Sequence, residues 1–274
     1  DPADIAPVPW RAELGDHGVP RKDASALMSS NGALAEWLEQ TKRYGLSIVT
    51  GLADDPEAGE TVARRIGHLR ETNFGVTFEV MSKPDPINLA YTSDALPLHT
   101  DLTNQDAPPG YQFLHCIANE AQGGGSTFCD GAAVAEDLRT ADPEAFEILS
   151  TVSVPFRFHD NETDIRSRKR VIELGAKGEV REVCFNAHLA DILDLDPSTM
   201  TAFYRAYRKF MQMTRDPAYG IAFRLCGGEM VVFDNRRVMH GREAFDPSTG
   251  FRHLRGCYVD RGEWDSRLRV LKRV

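Results

Sequence analysis

Residues 229–245, EMVVFDNRRVMHGREAF, run from an apolar, β-branched segment through a polar turn at Asp234 and Asn235 into a second segment that carries His240. A short apolar run closed by Asp and Asn reads as a buried strand, because a helix would need a longer amphipathic stretch. Outward from this point the same grammar repeats. NLAYT (88–92), YQFLHCIA (111–118), STFCDG (126–131), TVSVPFRF (151–158), RVIEL (170–174), EVCFN (182–186), GIAFRL (220–225) and HLRGCYVD (253–260) are strand-like runs separated by Gly, Pro, Asp and Asn. Many short strands with turn residues between them predict a β-sandwich or barrel.

Helical spacing is confined to the flanks and to a few inserts. Leu34, Trp37, Leu38 and Lys42 predict a helix over Asn31–Tyr44 that Gly45 ends, followed by a strand at Leu46–Thr50 and a second helix near Glu57–Leu69. Further helices are expected at Ala132–Leu138, Pro143–Leu149 and Ser198–Met213. In the last, Met200, Phe203, Tyr204, Tyr207 and Phe210 recur at helical spacing and read as a face packed on a sheet. Residues 1–30, rich in Pro and Asp, read as an extended lead-in. No repeat or low-complexity linker divides the chain, so one domain over residues 1–274 is expected.

Composition narrows the function. The chain has 274 residues, 42% hydrophobic and 27% charged, enough to bury a core without disulfides or structural metals. With 32 Lys and Arg against 41 Asp and Glu, the formal net charge is −9, which repels nucleic acids and anionic membranes. No run is long and apolar enough to cross a bilayer, and no signal-peptide pattern opens the sequence. The five cysteines are odd in number and mostly set in apolar runs, which suits reduced thiols and a cytoplasmic location.

Among eight histidines, most have no informative neighbour. His17, His68 and His159 lack partners, His115 inside FLHC reads as a hydrogen-bonded core imidazole, and His188 and His253 have no pattern of their own. His99 and Asp101 differ, because His-x-Asp after a strand-like run sends both side chains to one face. His240, at the start of a new backbone segment, is the best third ligand. Two histidines and one carboxylate leave open positions on an octahedral Fe(II), enough for a bidentate 2-oxo acid and O2 together. Arg252, a dozen residues beyond His240 at the head of a strand, offers a guanidinium suited to a distal carboxylate. The same His-Asp-His set is also compatible with a zinc hydrolase, in which Arg252 would have no natural role, or the jelly roll could be a non-catalytic binding module.

The stretches LPLHTDLTNQDAPPGYQFLHC, GGGSTFCDG, VVFDNRRVMHGREAF and FRHLRGCYVDRGEWDSRLRVL resemble the Fe(II)/2-oxoglutarate-dependent oxygenases of the taurine dioxygenase superfamily, and within it the γ-butyrobetaine and trimethyllysine hydroxylase branch. The resemblance runs from about Trp10 to the C-terminus. It implies a mainly β fold with flanking helices, a distorted double-stranded β-helix or jelly roll, with iron held by His99, Asp101 and His240. It further implies that Arg252 and the hydroxyl of Ser126 hold 2-oxoglutarate. Positions matching the family's cage for a trimethylammonium head are Phe74, Phe78, Tyr91 and Tyr258, two of them Phe where the family usually has Tyr or Trp. A quaternary cation cannot donate hydrogen bonds and is best held by π faces. Asn88 and Asn186 match the residues that hold the substrate carboxylate.

The implied reaction is hydroxylation of γ-butyrobetaine to L-carnitine with release of succinate and CO2. A trimethylammonium phosphonate and trimethyllysine are the alternatives, and Ala187 beside Asn186 disfavours the phosphonate, whose larger charge would call for an arginine there. Family precedent implies a homodimer. Full-length eukaryotic members carry a small N-terminal zinc domain, and no such Cys and His cluster precedes Trp10, so that domain is expected to be absent or removed.

Overall fold

Two largely antiparallel sheets face each other in a computed structural model that describes residues 1, 3–52, 55–81 and 92–273. The larger sheet has six strands in the order Arg21–Asp23, Leu46–Thr50, Met230–Asp234, Tyr111–Asn119, Arg252–Val259 and Thr77–Val80. Only its first pair is parallel. The smaller sheet has four, ordered Gly220–Phe223, Ser126–Asp130, Val238–Arg242 and Leu96–His99. Consecutive strands such as Met230–Asp234 and Val238–Arg242 lie in different sheets, which is the jelly-roll arrangement. The protein is thus mainly β with flanking helices.

Burial explains which residues take which place. All five residues of Met230–Asp234 are buried, since neighbouring strands flank this strand and side chains cover both its faces. Between the sheets Phe128, Phe233, Val238 and Leu254 pack, with Phe128 edge-on to Phe233 at 5.4 Å between centroids. The outer face of the larger sheet is covered by the helices Asn31–Tyr44 and Arg261–Leu271, whose Trp37 and Trp264 rings meet at 5.3 Å. Ser30 caps the first of these by accepting from the Ala33 amide. The smaller sheet is covered by Gly131–Ala141, Pro143–Thr151 and Pro197–Thr214, capped by Asp130, Asp142 and Asp196. These helices bury Leu138, Leu149, Phe203 and Phe210 against Met239. Each such apolar side chain contributes about 1.5–3 kcal/mol. Asp130 also receives the buried guanidinium of Arg237 at 2.7 Å, which joins the turn between the two sheets to the start of a helix.

The structure corrects several boundaries. The lead-in is not simply extended: it holds short helices at Glu13–His17 and Ala24–Ser29 and the strand Arg21–Asp23. Trp10 pins it down, buried and donating from Nε1 to the Tyr44 carbonyl at 2.7 Å. This order comes from contacts distant in sequence, which local periodicity does not carry. The helix expected at Glu57–Leu69 spans only Ala58–Arg64. His240 follows the strand Met230–Asp234, as expected, and the segment that carries it is itself a strand, Val238–Arg242. The strand-like run at 88–92 falls outside the described residues except for Thr92. No helix among the described residues is long and apolar enough to cross a membrane.

Candidate metal centre and its cavity

The open end of the two sheets encloses a cavity of about 390 Å³. His99 ends the strand Leu96–His99, and Asp101 follows in the turn. His240 is the cross-strand partner of His99, so the register of two adjacent strands brings the histidines together, with ring centroids 4.3 Å apart. His99 Nε2 lies 3.1 Å and His240 Nε2 3.6 Å from Asp101 Oδ1. One ligand atom from each lies within 4.8 Å of the others, the one such cluster of His, Cys, Asp or Glu among the described residues.

The local chemistry suits a metal ion. A hydrogen bond from His99 Nδ1 to the Pro97 carbonyl at 2.8 Å orients the ring with Nε2 toward Asp101, so that Nε2 is the atom offered to a metal once it gives up its proton. Burial disfavours charge on Asp101, but the neighbouring His240 and His99 and the Tyr258 hydroxyl outweigh it and hold the carboxyl well below the usual range. Burial and the adjacent His99 push His240 down to about 3, so its imidazole is neutral. At His99 burial opposes the proton, but the hydrogen bond and charge of Asp101 win, and the net displacement is upward. Two nitrogen donors and one carboxylate on one side of a cavity fit a divalent iron site with open positions.

Asn235, which the sequence reading passed over, holds the carboxylate ligand from behind. Its Oδ1 accepts from the Asp101 amide at 2.7 Å, and its Nδ2 donates to the Asp101 carbonyl at 3.1 Å and to the Pro109 carbonyl at 3.3 Å. Leu102, next in the chain, is the non-glycine residue with a left-handed backbone among the described residues, at φ 54°. Such a conformation persists where surrounding bonds over-determine it. Thr100, between the two ligands, turns away and bonds to the Phe185 backbone.

Arg252 heads its strand and is buried, with Nε donating to the Gly124 carbonyl at 3.2 Å. A side chain at position 124 would collide with Arg252, since its Cβ would lie 2.8 Å from Nε. No carboxylate among the described residues pairs with this guanidinium. Burial pulls its pKa down to about 10, so it remains charged at neutral pH. Ser126 is buried on the same cavity wall. A second buried guanidinium there, Arg242, donates to the Thr92 and Asp94 carbonyls at 2.9 and 2.6 Å.

Phe74, Phe78 and Tyr258 line the cavity together, whereas Tyr91 and Asn88 lie outside the described residues. Phe78 stacks with Tyr258 at 5.1 Å, and the Tyr258 hydroxyl donates to Asp101 Oδ2 at 2.7 Å. Phe74 meets Phe158 edge-on at 5.3 Å. Phe158 was not picked out from the sequence, although the alternation in TVSVPFRF placed Phe156 and Phe158 on one face. Asn186 is buried on the cavity wall, with Nδ2 donating to the Thr100 carbonyl and Oδ1 accepting from the His188 and Leu189 amides. That leaves one of its N–H bonds for a ligand. His159 and His188, dismissed or left undecided on sequence grounds, also line the cavity. His115 is buried as expected, but its Nδ1 finds no partner among the described residues.

Fold and site together define a jelly-roll protein with a two-histidine, one-carboxylate centre in its mouth. Residues 5–258 match the model of the taurine catabolism dioxygenase TauD, TfdA family, and the chain belongs to that family. It is 46% identical over 255 residues to a gamma-butyrobetaine dioxygenase from Pseudomonas sp. (strain AK-1), covering 93% of this chain and 67% of that one. It is 34% identical over 273 residues to the gamma-butyrobetaine dioxygenase of Homo sapiens, covering 96% and 68%. Among solved structures, a taurine dioxygenase from Burkholderia xenovorans superposes with a TM-score of 0.67 at 14% identity, covering 93% of this chain and 90% of that one, a likeness of fold.

Proposed function

We propose that the chain is an Fe(II)- and 2-oxoglutarate-dependent hydroxylase that converts γ-butyrobetaine to L-carnitine, with succinate and CO2 as coproducts. The observation that carries this reading is a single cavity containing a metal-ligating cluster, the buried Arg252 guanidinium with no carboxylate partner among the described residues, and aromatic faces. The 46% identity to a gamma-butyrobetaine dioxygenase supports the choice of substrate. Membership in a dioxygenase family sets the zinc-hydrolase and non-catalytic alternatives aside.

In this reading His99, Asp101 and His240 hold the iron, which when bound supplies the oxidising chemistry with 2-oxoglutarate and O2. Arg252, with Ser126, binds the far carboxylate of 2-oxoglutarate through a charge-assisted, bidentate pair. Asn235 and Tyr258 orient Asp101 through its backbone and its second carboxylate oxygen. Phe74, Phe78, Tyr258 and Phe158, with Tyr91 from outside the described residues, receive the trimethylammonium head. Asn186, with Asn88, holds the substrate carboxylate. Catalysis then rests on positioning, because the two ends of the substrate decide which carbon faces the metal.

The chain is read as one catalytic domain over residues 1–274, acting as a homodimer in the cytoplasm. Its five cysteines are all unpaired and four of them are buried, which supports a reducing compartment. Light scattering of the purified protein tests the dimer.

Succinate release by the Fe(II)-loaded protein with 2-oxoglutarate and O2 tests the function. The panel is γ-butyrobetaine, trimethyllysine, 2-(trimethylammonio)ethylphosphonate and taurine, with product masses recorded. Stimulation by γ-butyrobetaine with gain of one oxygen supports the proposal. Stimulation by taurine alone would overturn the assignment of the aromatic residues.

A further inference from the structure

Along the strand Arg252–Val259 the cavity face reads Arg252, Leu254, Gly256, Tyr258, because side chains two apart share a face. Three of these carry large side chains into the cavity or its wall, and one carries none. Gly256 sits in the interior of its strand, with Phe78 as its Cα partner on one side and Leu114 on the other. It is not among the glycines with a left-handed backbone, so its conformation is open to any residue. A glycine in such a place weakens a strand and needs another reason, commonly the close approach of another group.

That group is the Phe78 ring. A Cβ built at position 256 would lie 2.3 Å from Phe78 Cζ, 2.4 Å from Cε2 and 2.9 Å from Cε1. The ring therefore occupies the space that a side chain at 256 would fill. Covering the bare backbone also sets the ring beside Tyr258, two residues along, at 5.1 Å between centroids and 28° between planes. Tyr258 is itself tethered to Asp101 Oδ2 through its hydroxyl at 2.7 Å. The missing side chain thus sets the position of an aromatic wall whose far end is tied to a candidate metal ligand.

We propose that Gly256 is a specificity-determining residue, which seats Phe78 against Tyr258 so that the two rings form one wall for a quaternary ammonium head at a set distance from the metal. The inference rests on the trimethylammonium reading above and adds to it the position that shapes the wall. Any side chain at 256 tips Phe78 out of this arrangement and loosens the register between the cation and the metal. The residue acts through Phe78 and is a positioning residue.

The test compares wild type, Gly256→Ala, Phe78→Ala and the double variant with γ-butyrobetaine and with 5,5-dimethylhexanoate, its carbon isostere with a neutral head. Gly256→Ala should raise KM for γ-butyrobetaine about tenfold, the loss expected when a cation leaves a ring face. It should narrow the preference for the cation over the isostere and increase the succinate formed without hydroxylated product. KM for 2-oxoglutarate and the affinity for Co(II), followed by its visible absorption, should not move. In the Phe78→Ala background the same change should add nothing, because the ring it displaces is gone, and the double variant also relieves the crowding should Gly256→Ala fold poorly. An unchanged cation preference in Gly256→Ala, or effects that multiply in the double variant, would overturn the proposal. If wild type hydroxylates neither compound, the functional reading fails, and a crystal structure of Gly256→Ala decides the inference on its own: Phe78 displaced supports it, Phe78 unmoved sinks it.

Discussion

At one end of the cavity His99, Asp101 and His240 are placed by backbone, through strand register and through the three hydrogen bonds of Asn235. At the other end the rings are held by packing against one another and against bare backbone: Phe74 meets Phe158 edge-on, and Phe78, paired in register with Gly256, rests its ring on that glycine. Tyr258 belongs to both, stacked on Phe78 and bonded to Asp101. The contrast follows from what each ligand demands. A metal needs donor atoms held to fractions of an ångström, which hydrogen-bonded backbone supplies, whereas a greasy cation needs faces, which tolerate small shifts.

The difference can be broken most severely at the metal end. Asp101→Ala should abolish Co(II) binding and 2-oxoglutarate turnover together, measured by absorption titration and succinate release. A variant that kept both would remove Asp101 from the centre. Next comes Arg252→Ala, which on the proposed reading leaves the far carboxylate of the cosubstrate without its buried partner. KM for 2-oxoglutarate should rise roughly 100-fold, equivalent to about 3 kcal/mol, with Co(II) affinity retained.

Asn235→Ala sharpens the comparison, because it touches no ligand atom. If the backbone clamp sets the position of Asp101, metal affinity should fall about 10- to 100-fold and the Co(II) spectrum should shift. A variant that merely lost thermal stability, with an unaltered spectrum, would show that the clamp serves folding only. The smallest change is expected at the aromatic end. Phe158→Ala should raise KM for the trimethylammonium substrate roughly three- to fivefold, about 0.5–1 kcal/mol, and leave the metal untouched. A larger loss there than at Asn235 would invert the picture of a rigid end and a tolerant one.

The metal end was also the more legible of the two in the sequence. His-x-Asp declares itself through spacing within three residues, and the strand-like run ahead of Asn235 points to where His240 must lie. Most strands announced themselves as well, because Met230–Asp234 and Tyr111–Asn119 are apolar runs bounded by turn residues. The lead-in did not. Its short helices and its strand are stabilised by Trp10 and by pairing with Leu46–Thr50, contacts that leave no local period. Phe158 escaped notice for a similar reason: alternation tells which face a side chain takes, but not which distant ring it will meet.

The sequence by itself determined the β-rich class, the apolar strands, the donor types available to a metal and the placement of an arginine a dozen residues beyond the distal histidine, at the head of a strand. These are properties of composition and of short-range period, written in neighbouring residues. Only the tertiary structure decided that Asn235 would grip Asp101, that Phe158 would join Phe74, and that Gly256 would make room for Phe78. Each of those joins segments far apart in the chain, and such meetings depend on sheet register and packing rather than on any pattern within one segment.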